Sequence, residues 1–170
     1  MTRGGERSAG GAAAALLALV CAAGAAGCAN WPPGAVPLGT PIAQVRGAGL
    51  PPSGEYTLSD GGTRLEYDQG AQTYMLDFNA AGVLVASKQV LTQDEFAEIV
   101  PGMSGTTVRI RLGHPASTMS IPRQDLQVWN YRFWVSQCEL FQVSVNQTSG
   151  KVTEAGIGPN LECGGPNVKK

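Results

Sequence analysis

Large apolar residues alternate with smaller or polar ones along two stretches of the C-terminal half, 129–135 and 141–145. A period of two is typical of strands that bury one face. The apolar positions are Trp129, Tyr131, Phe133 and Val135 in the first stretch and Phe141, Val143 and Val145 in the second. Gly150 suits a turn with positive φ, and Val152 begins a further apolar stretch. The pattern predicts a three-stranded antiparallel meander.

Two short helices are predicted ahead of this meander. Thr92 and Glu95 fit a capping box, in which a hydroxyl and a Glu three residues later satisfy the first free amides of a helix. Ser104 is a second candidate N-cap, and Gly113 is placed to end the second helix. Packed on one face of the sheet, the helices would leave its other face half open.

The first half of the chain contains a weaker copy of this pattern. Residues 37–46 align with residues 100–109, which pairs Gly39 with Gly102. Few positions are identical, and chance similarity between two Gly-rich stretches is the alternative. The predicted fold class is α+β: a helix pair and a three-stranded antiparallel meander, present twice in tandem.

The N-terminal segment has the layout of a secretory signal. Arg3 and Arg7 precede an uncharged run from residue 9 to residue 27, and three small residues stand before Cys28. This arrangement resembles a bacterial lipobox, which implies cleavage before Cys28 and a lipid on its thiol. Ala29 in place of Asp implies the outer membrane, with the protein on its periplasmic face. The alternatives are a retained transmembrane helix, cleavage elsewhere, and Cys21 as the lipid site.

Charge and cysteine count narrow the function classes. Twelve basic and 13 acidic residues create no field that would attract nucleic acid. With Cys21 in the signal and Cys28 carrying lipid, Cys138 and Cys163 are left. In an oxidising compartment such a pair is expected to form a disulfide. A metal or redox pair is the alternative, but the chain has no Cys-x-x-Cys motif.

The ordered motifs of residues 99–104, 112–115, 129–131 and 150–152 resemble those of the SmpA/OmlA (BamE-like) family of outer-membrane lipoproteins. This resemblance implies membrane attachment through lipid and contact with barrel-assembly proteins or anionic phospholipid. It also implies Met103 and Arg132 as binding residues. The first copy departs from the family, because it lacks the Met and the Trp and has an insert at 51–62. The predicted segments are a signal peptide (1–27), a tether (28–35), a degenerate module (36–91), a module (92–163) and a flexible tail (164–170).

No residue set in the sequence predicts catalysis, a metal site or a cofactor. His114 is the only histidine and is expected in a turn, exposed or bonded to backbone. The acids of two regions are expected on solvated positions or in an acidic patch: Asp94, Glu95 and Glu98 in the first region, and Asp60, Glu66, Asp68 and Asp77 in the second. Arg109, Arg111 and Arg123 add positive charge near Arg132.

The sequence therefore predicts a non-catalytic lipoprotein that acts as a scaffold or modulator in β-barrel assembly or envelope integrity. An inhibitor-like or binding module for a periplasmic or exported enzyme is the alternative function. A purely structural envelope lipoprotein is a third.

Overall fold

The computed structural model describes residues 32–49, 51–134, 136–160 and 163, with only the backbone at 136 and 137. The predicted signal peptide, Cys28, Val135 and the tail from residue 164 lie outside these residues. The described chain forms two four-stranded antiparallel sheets. The first contains β1 (Gly54–Thr57), β2 (Thr63–Asp68), β3 (Thr73–Phe78) and β4 (Leu84–Gln89). The second contains β5 (Ser117–Ile121), β6 (Leu126–Phe133), β7 (Ser136–Asn146) and β8 (Val152–Pro159).

Three short helices accompany the sheets: α1 (Ile42–Gly47), α2 (Gln93–Ala97) and α3 (Gly105–Leu112). The predicted N-caps of α2 and α3 are confirmed, because the Thr92 hydroxyl accepts from the Glu95 amide and the Ser104 hydroxyl accepts from the Thr107 amide. The Glu95 carboxylate, predicted to complete a capping box, instead contacts Lys88 and Arg111. Gly113 follows α3 at a φ of 84°. Two 3₁₀ turns, Pro33–Ala35 and Pro122–Gln124, also lie within the described residues.

The predicted α+β fold class, a helix pair with a three-stranded meander in each copy, is wrong. The chain is mostly β, and each sheet has four strands. The sequence Ser-Thr-Met-Ser-Ile of β5 was missed because its residues are exposed or half-buried, and only Met119 and Ile121 are apolar in it. In the first half, β1 lies within the stretch interpreted as an insert.

The two halves nevertheless share a backbone pattern. The Ile42 amide donates to the Gly82 carbonyl, and the Gly105 amide donates to the Gly150 carbonyl, both at 2.8 Å. Each bond joins the start of a helix to the turn before the fourth strand of its own sheet. Gly82 and Gly150 both have positive φ, 74° and 66°, which these tight turns require.

Each half has its own apolar core. In the first, Leu65, Leu76 and Phe78 from the sheet pack with Val36 and Val45. The second is larger, and its buried residues come from the inner face of the second sheet, from α3 and from the segment that contains α2. They include Phe96, Ile99, Val108, Leu112, Trp129, Tyr131, Phe133, Phe141, Val143 and Val145. Burying each large apolar side chain contributes about 1.5–3 kcal/mol.

The first sheet also contacts α3 and the residues that follow it. The Arg64 guanidinium on β2 donates to the Ile110 carbonyl at 2.8 Å, and the Glu66 carboxylate accepts from the His114 amide at 2.9 Å. This region therefore packs between the two sheets. The opposite face of the second sheet, called the outer face below, includes the exposed side chains of Met119 and Arg132.

Candidate functional site

A groove of about 140 Å³ lies on the outer face of the second sheet. Strands β5, β6 and β7 supply most of its walls, and the end of β8 closes it. Its lining residues are Ala116, Ser117, Met119, Asn130, Arg132, Leu140, Gln142, Pro159 and Asn160. The strand register explains this grouping, because Ser117 pairs with Asn130 and Asn130 pairs with Gln142. Paired residues in an antiparallel sheet point to the same face.

A ladder of side-chain hydrogen bonds crosses the groove. The Gln142 amide donates to Asn130 Oδ1 at 3.0 Å, and the Asn130 amide donates to Ser117 Oγ at 3.2 Å. These bonds fix which end of each amide faces its neighbour. The ladder itself uses neither the hydroxyl hydrogen of Ser117 nor Oε1 of Gln142. The groove therefore presents a donor at one end of the ladder and an acceptor at the other.

Gly156 and Gly158 leave the outer face of β8 without side chains beside the groove. Gly156 pairs with Gln142 and so belongs to the outer face. A Cβ added at Gly156 would meet nothing within 4 Å, whereas a Cβ added at Gly158 would collide with Gln142 Oε1. A side chain at 156 is thus sterically possible and would project beside the groove.

The structure separates the two predicted binding residues. Arg132 lies in the groove, but Met103 packs, half-buried, against the second core. Two other arginines are engaged within the second half: the Arg109 guanidinium lies 4.8 Å from the centre of the Trp129 ring, and Arg111 contacts Glu95. Of the predicted set, Arg132 is the residue that joins the groove.

Cys138 and Cys163 are joined by a disulfide, with their Cα atoms 5.4 Å apart. The Asn160 amide donates to the Cys138 carbonyl at 2.8 Å, and the Cys163 amide donates to the Asn160 carbonyl at 3.0 Å. The first of these bonds holds Asn160 against β7, and the second joins Cys163 to Asn160. Because Asn160 lines the groove, the disulfide helps to shape that end of it.

A second polar cluster joins the two halves around Glu66. The Glu66 side chain is fully buried, and its carboxylate accepts from the Tyr56 hydroxyl at 2.6 Å. The carboxylate also accepts from the His114 amide and contacts His114 Nδ1, each at 2.9 Å. The prediction of an exposed Glu66 is therefore wrong. His114 is exposed, as predicted, but its backbone amide and its ring both contact the buried carboxylate of Glu66.

Burial explains the protonation state of Tyr56 in this cluster. Removal from water, together with the hydrogen bond to the Glu66 carboxylate, raises the pKa of the Tyr56 phenol well above its usual value. Tyr56 therefore stays neutral and donates to the carboxylate. Gly54 and Gly113 give the carboxylate room, since a Cβ at either position would approach it within 2.7 Å.

Two further acids that were expected in solvent form ion pairs. Asp77 accepts a bidentate pair from Arg64, with N···O distances of 2.6 and 2.7 Å. Glu95 is buried and contacts both Lys88 and Arg111. Lys88 lies on β4 and Arg111 on α3, so Glu95 ties the first sheet to the helices of the second half.

The pKa of Glu95 predicts a pH dependence of stability. Burial raises this pKa, but the hydrogen bond from Lys88 and the charges of Lys88 and Arg111 lower it more, so the net shift is downward. A carboxyl with a lower pKa in the folded state stabilises fully above its ordinary value of 4.5 and loses that contribution as the pH falls through the folded value. We expect the free energy of unfolding, measured by urea titration, to fall below pH 4.5.

Below pH 4.5, the free energy of unfolding of a Glu95→Gln variant should fall less steeply with pH than that of the wild type. The slope should differ by the equivalent of up to about one bound proton, because one carboxyl no longer titrates. Glu154→Gln at an exposed position of β8 is the matched control for loss of one charge. Equal slopes for the wild type and Glu95→Gln below pH 4.5 would contradict the role given to the ion pairs.

Sequence reasoning missed Ser117, Asn130, Gln142 and Gly156. Asn130 and Gln142 occupy the polar positions between the alternating apolar residues, so the period of two placed them on the open face. No comparable pattern marks Ser117, because the strand that contains it was not predicted.

No family model matches the chain, and no curated protein or solved structure matches it. Within the described residues, no helix is long and apolar enough to cross a membrane. Those residues also contain no group of three or more His, Cys, Asp or Glu side chains that could hold a metal ion.

Proposed function

We propose that this protein is a non-catalytic binding module for another protein of the bacterial envelope, such as a periplasmic or exported enzyme. The observation that carries the proposal is the groove on the outer face of the second sheet. Its polar side chains are ordered by hydrogen bonds, and the half-exposed Met119 lies beside them. Ordered polar groups around apolar side chains are typical of protein-recognition surfaces.

The scaffold role in β-barrel assembly has less support from the geometry. That role came from a family whose helix pair and three-stranded sheet differ from the two four-stranded sheets of this chain. The broader binding role depends on the groove itself and not on the family. It therefore takes precedence over the role in barrel assembly.

A lipid on Cys28 is part of the proposal and rests on the small residues that precede this cysteine. Several acyl chains on one cysteine give stable attachment, whereas a single chain gives marginal attachment. The binding face would then be held at a membrane surface and would need no membrane-spanning helix.

Site-specific photocrosslinking in the native cell tests this function. A photoreactive residue at Met119 on the outer face should trap one discrete protein, while the same residue at the exposed Gln44 of α1 should not. After identification by mass spectrometry, the trapped protein should bind the purified chain in solution. Equal trapping from both positions, or no binding between purified components, would reject the module. In a Cys28→Ala background the adduct should leave the membrane fraction, and its retention there would reject the lipid anchor.

A further inference from the structure

We infer that β5, an edge strand of the second sheet, accepts an extended segment of the partner protein as a fifth strand. The segment would carry large apolar side chains at alternate positions, on the side of the sheet that contains the groove. This inference rests on the proposed binding function and names the kind of segment through which the partner binds. It concerns the free edge of β5, where the groove reaches the border of the sheet.

The backbone of β5 is unpaired along one side. The strand order of the second sheet is β5-β6-β7-β8, and β5 pairs with β6 alone. Among the described residues, no turn, loop or isolated bridge pairs with its other side. Because alternate amides and carbonyls of an edge strand point away from the sheet, another extended backbone can bind to them.

Both edges of the first sheet are protected against such pairing. β1 has only four residues, and its Glu55 forms an ion pair with Arg46 of α1. Backbone hydrogen bonds of 2.8 and 3.0 Å join Leu84, at the start of β4, to residues 39 and 40. Lys88 adds a charge further along β4. Short edge strands, charged side chains and covering segments are the usual ways in which proteins block an exposed edge.

The edge formed by β8 is protected as well. The Gly102 amide donates to the Val152 carbonyl at 2.8 Å, and the Val152 amide donates to the Met103 carbonyl at 2.9 Å. The segment before α3 therefore covers the start of β8. The rest of the strand contains Glu154 and Pro159, and its pairing with β7 has a register shift.

β5 has none of these protective features. Its sequence Ser-Thr-Met-Ser-Ile contains no charged residue and no proline, and its pairing with β6 runs without a register shift. Pro122 follows the strand directly, which limits an added strand to about five paired residues. Of the four edges in the described chain, β5 is thus the one that is open to another strand.

The groove supplies side-chain contacts for the same segment. Ser117 and Met119 of β5 line the groove and lie on the outer face. Side chains of an added strand on that face would lie about 5 Å from them, since neighbouring strands place facing residues at that distance. Met119 is 49% exposed, so a large apolar side chain beside it would bury apolar surface. In strand addition, main-chain hydrogen bonds give affinity and pockets for alternate side chains give specificity.

A second copy of this chain is a weaker candidate for the same edge. Stable protein interfaces bury about 1,200–2,000 Å², and a five-residue strand is only about 17 Å long. Pairing of two such edges covers a small part of that area. A partner segment can also place side chains in the groove, which adds contact that the paired edges lack.

A backbone scan of a bound peptide tests the inference. Peptides are selected against the full chain from a random 12-residue library displayed on phage, and the tightest is synthesised with one N-methylated amide at a time. N-methylation removes a backbone donor and keeps the side chain. Binding should weaken at least tenfold at every second position over about five residues, with little effect at the positions between them. The unmethylated peptide should slow hydrogen exchange of the amides at 117–121.

Substitutions on two edge strands provide the matched comparison. Met119→Lys places a charge on β5 and should weaken peptide binding at least tenfold. Val85→Lys is the control, because Val85 lies on the edge strand β4 and is 52% exposed, close to the 49% of Met119. It should leave the affinity unchanged. Thermal melts of both variants establish that they are folded.

Several results would overturn the inference. They include a selection that enriches no peptide, an N-methyl scan without a period of two, and a bound peptide that leaves exchange at 117–121 unchanged. A wild-type chain that sediments as a dimer, with Met119→Lys as a monomer, would make a second copy the occupant. If the crosslinked partner binds without slowing exchange in β5, strand addition fails while the binding module stands.

Discussion

Replacing Glu66 by Ala should lower the free energy of unfolding by about 3–5 kcal/mol, because the side chain is fully buried and is the acceptor for donors from both halves. The Tyr56 hydroxyl and the His114 amide would lose their partner. Each buried donor left unpaired costs about 1–3 kcal/mol, and the space left by the carboxylate adds a cavity. Urea denaturation followed by circular dichroism measures the effect.

Two variants separate the acceptor role of Glu66 from its size. Glu66→Gln keeps the shape and one acceptor oxygen, so it should lose less stability than Glu66→Ala. Glu154→Ala removes an exposed carboxylate from β8 and should change stability by no more than about 0.5 kcal/mol. A Glu66→Ala loss as small as that of Glu154→Ala would show that the cluster does not hold the two halves together.

Sequence reasoning misplaced Glu66 because the residues around it come from distant parts of the chain. Glu66 and His114 are 48 residues apart, and each looks unremarkable in its local pattern. A Glu on a strand is usually exposed, and a His between Gly and Pro usually lies in a turn. Only the packing of α3 and its C-terminal end against the first sheet brings them together. Periodicity reports the buried face of one element and does not report which distant element covers it.

The parts predicted correctly are those with strong local signals. Alternating apolar residues identified β6 and β7, and a hydroxyl before each helix identified the caps of α2 and α3. The fold class failed at β1 and β5, the first strands of the two sheets, because edge strands bury little and carry little apolar pattern. In the groove, Arg132 came from a family resemblance, whereas Gly156 had no sequence signal to distinguish it from other glycines.

The polar groups between the two halves and those of the groove differ in position and in the expected effect of substitution. The Glu66 cluster, the Arg64–Asp77 pair and Glu95 all lie where the first sheet meets the region of α2 and α3. The groove lies on the opposite side of the second sheet. Because the first set is built into the joint between halves, its substitutions should change stability. Substitutions in the groove should change binding with little effect on stability.

Replacing Gly113 by Ala should destabilise the protein by about 3 kcal/mol or more. Gly113 has φ 84° and ψ −163°, a conformation that is essentially confined to glycine and costs other residues about 1–3 kcal/mol. An added Cβ would also lie 2.7 Å from Oε1 of Glu66 and 2.8 Å from its Cδ. The Glu66 carboxylate is fixed by its own hydrogen bonds, so it cannot move aside without losing them.

Gly102→Ala provides the matched control for backbone strain. Gly102 also has positive φ, 88°, but a Cβ there would meet nothing within 4 Å. Its substitution should therefore cost only the conformational penalty of about 1–2 kcal/mol. The difference between the two variants, measured by urea denaturation, contains the collision with Glu66 together with any difference in backbone strain. In a Glu66→Ala background the collision with the carboxylate disappears, so the excess cost of Gly113→Ala over Gly102→Ala should decrease. An excess that is undiminished there would mean that Gly113 is required for its backbone and not for the space it leaves beside the carboxylate.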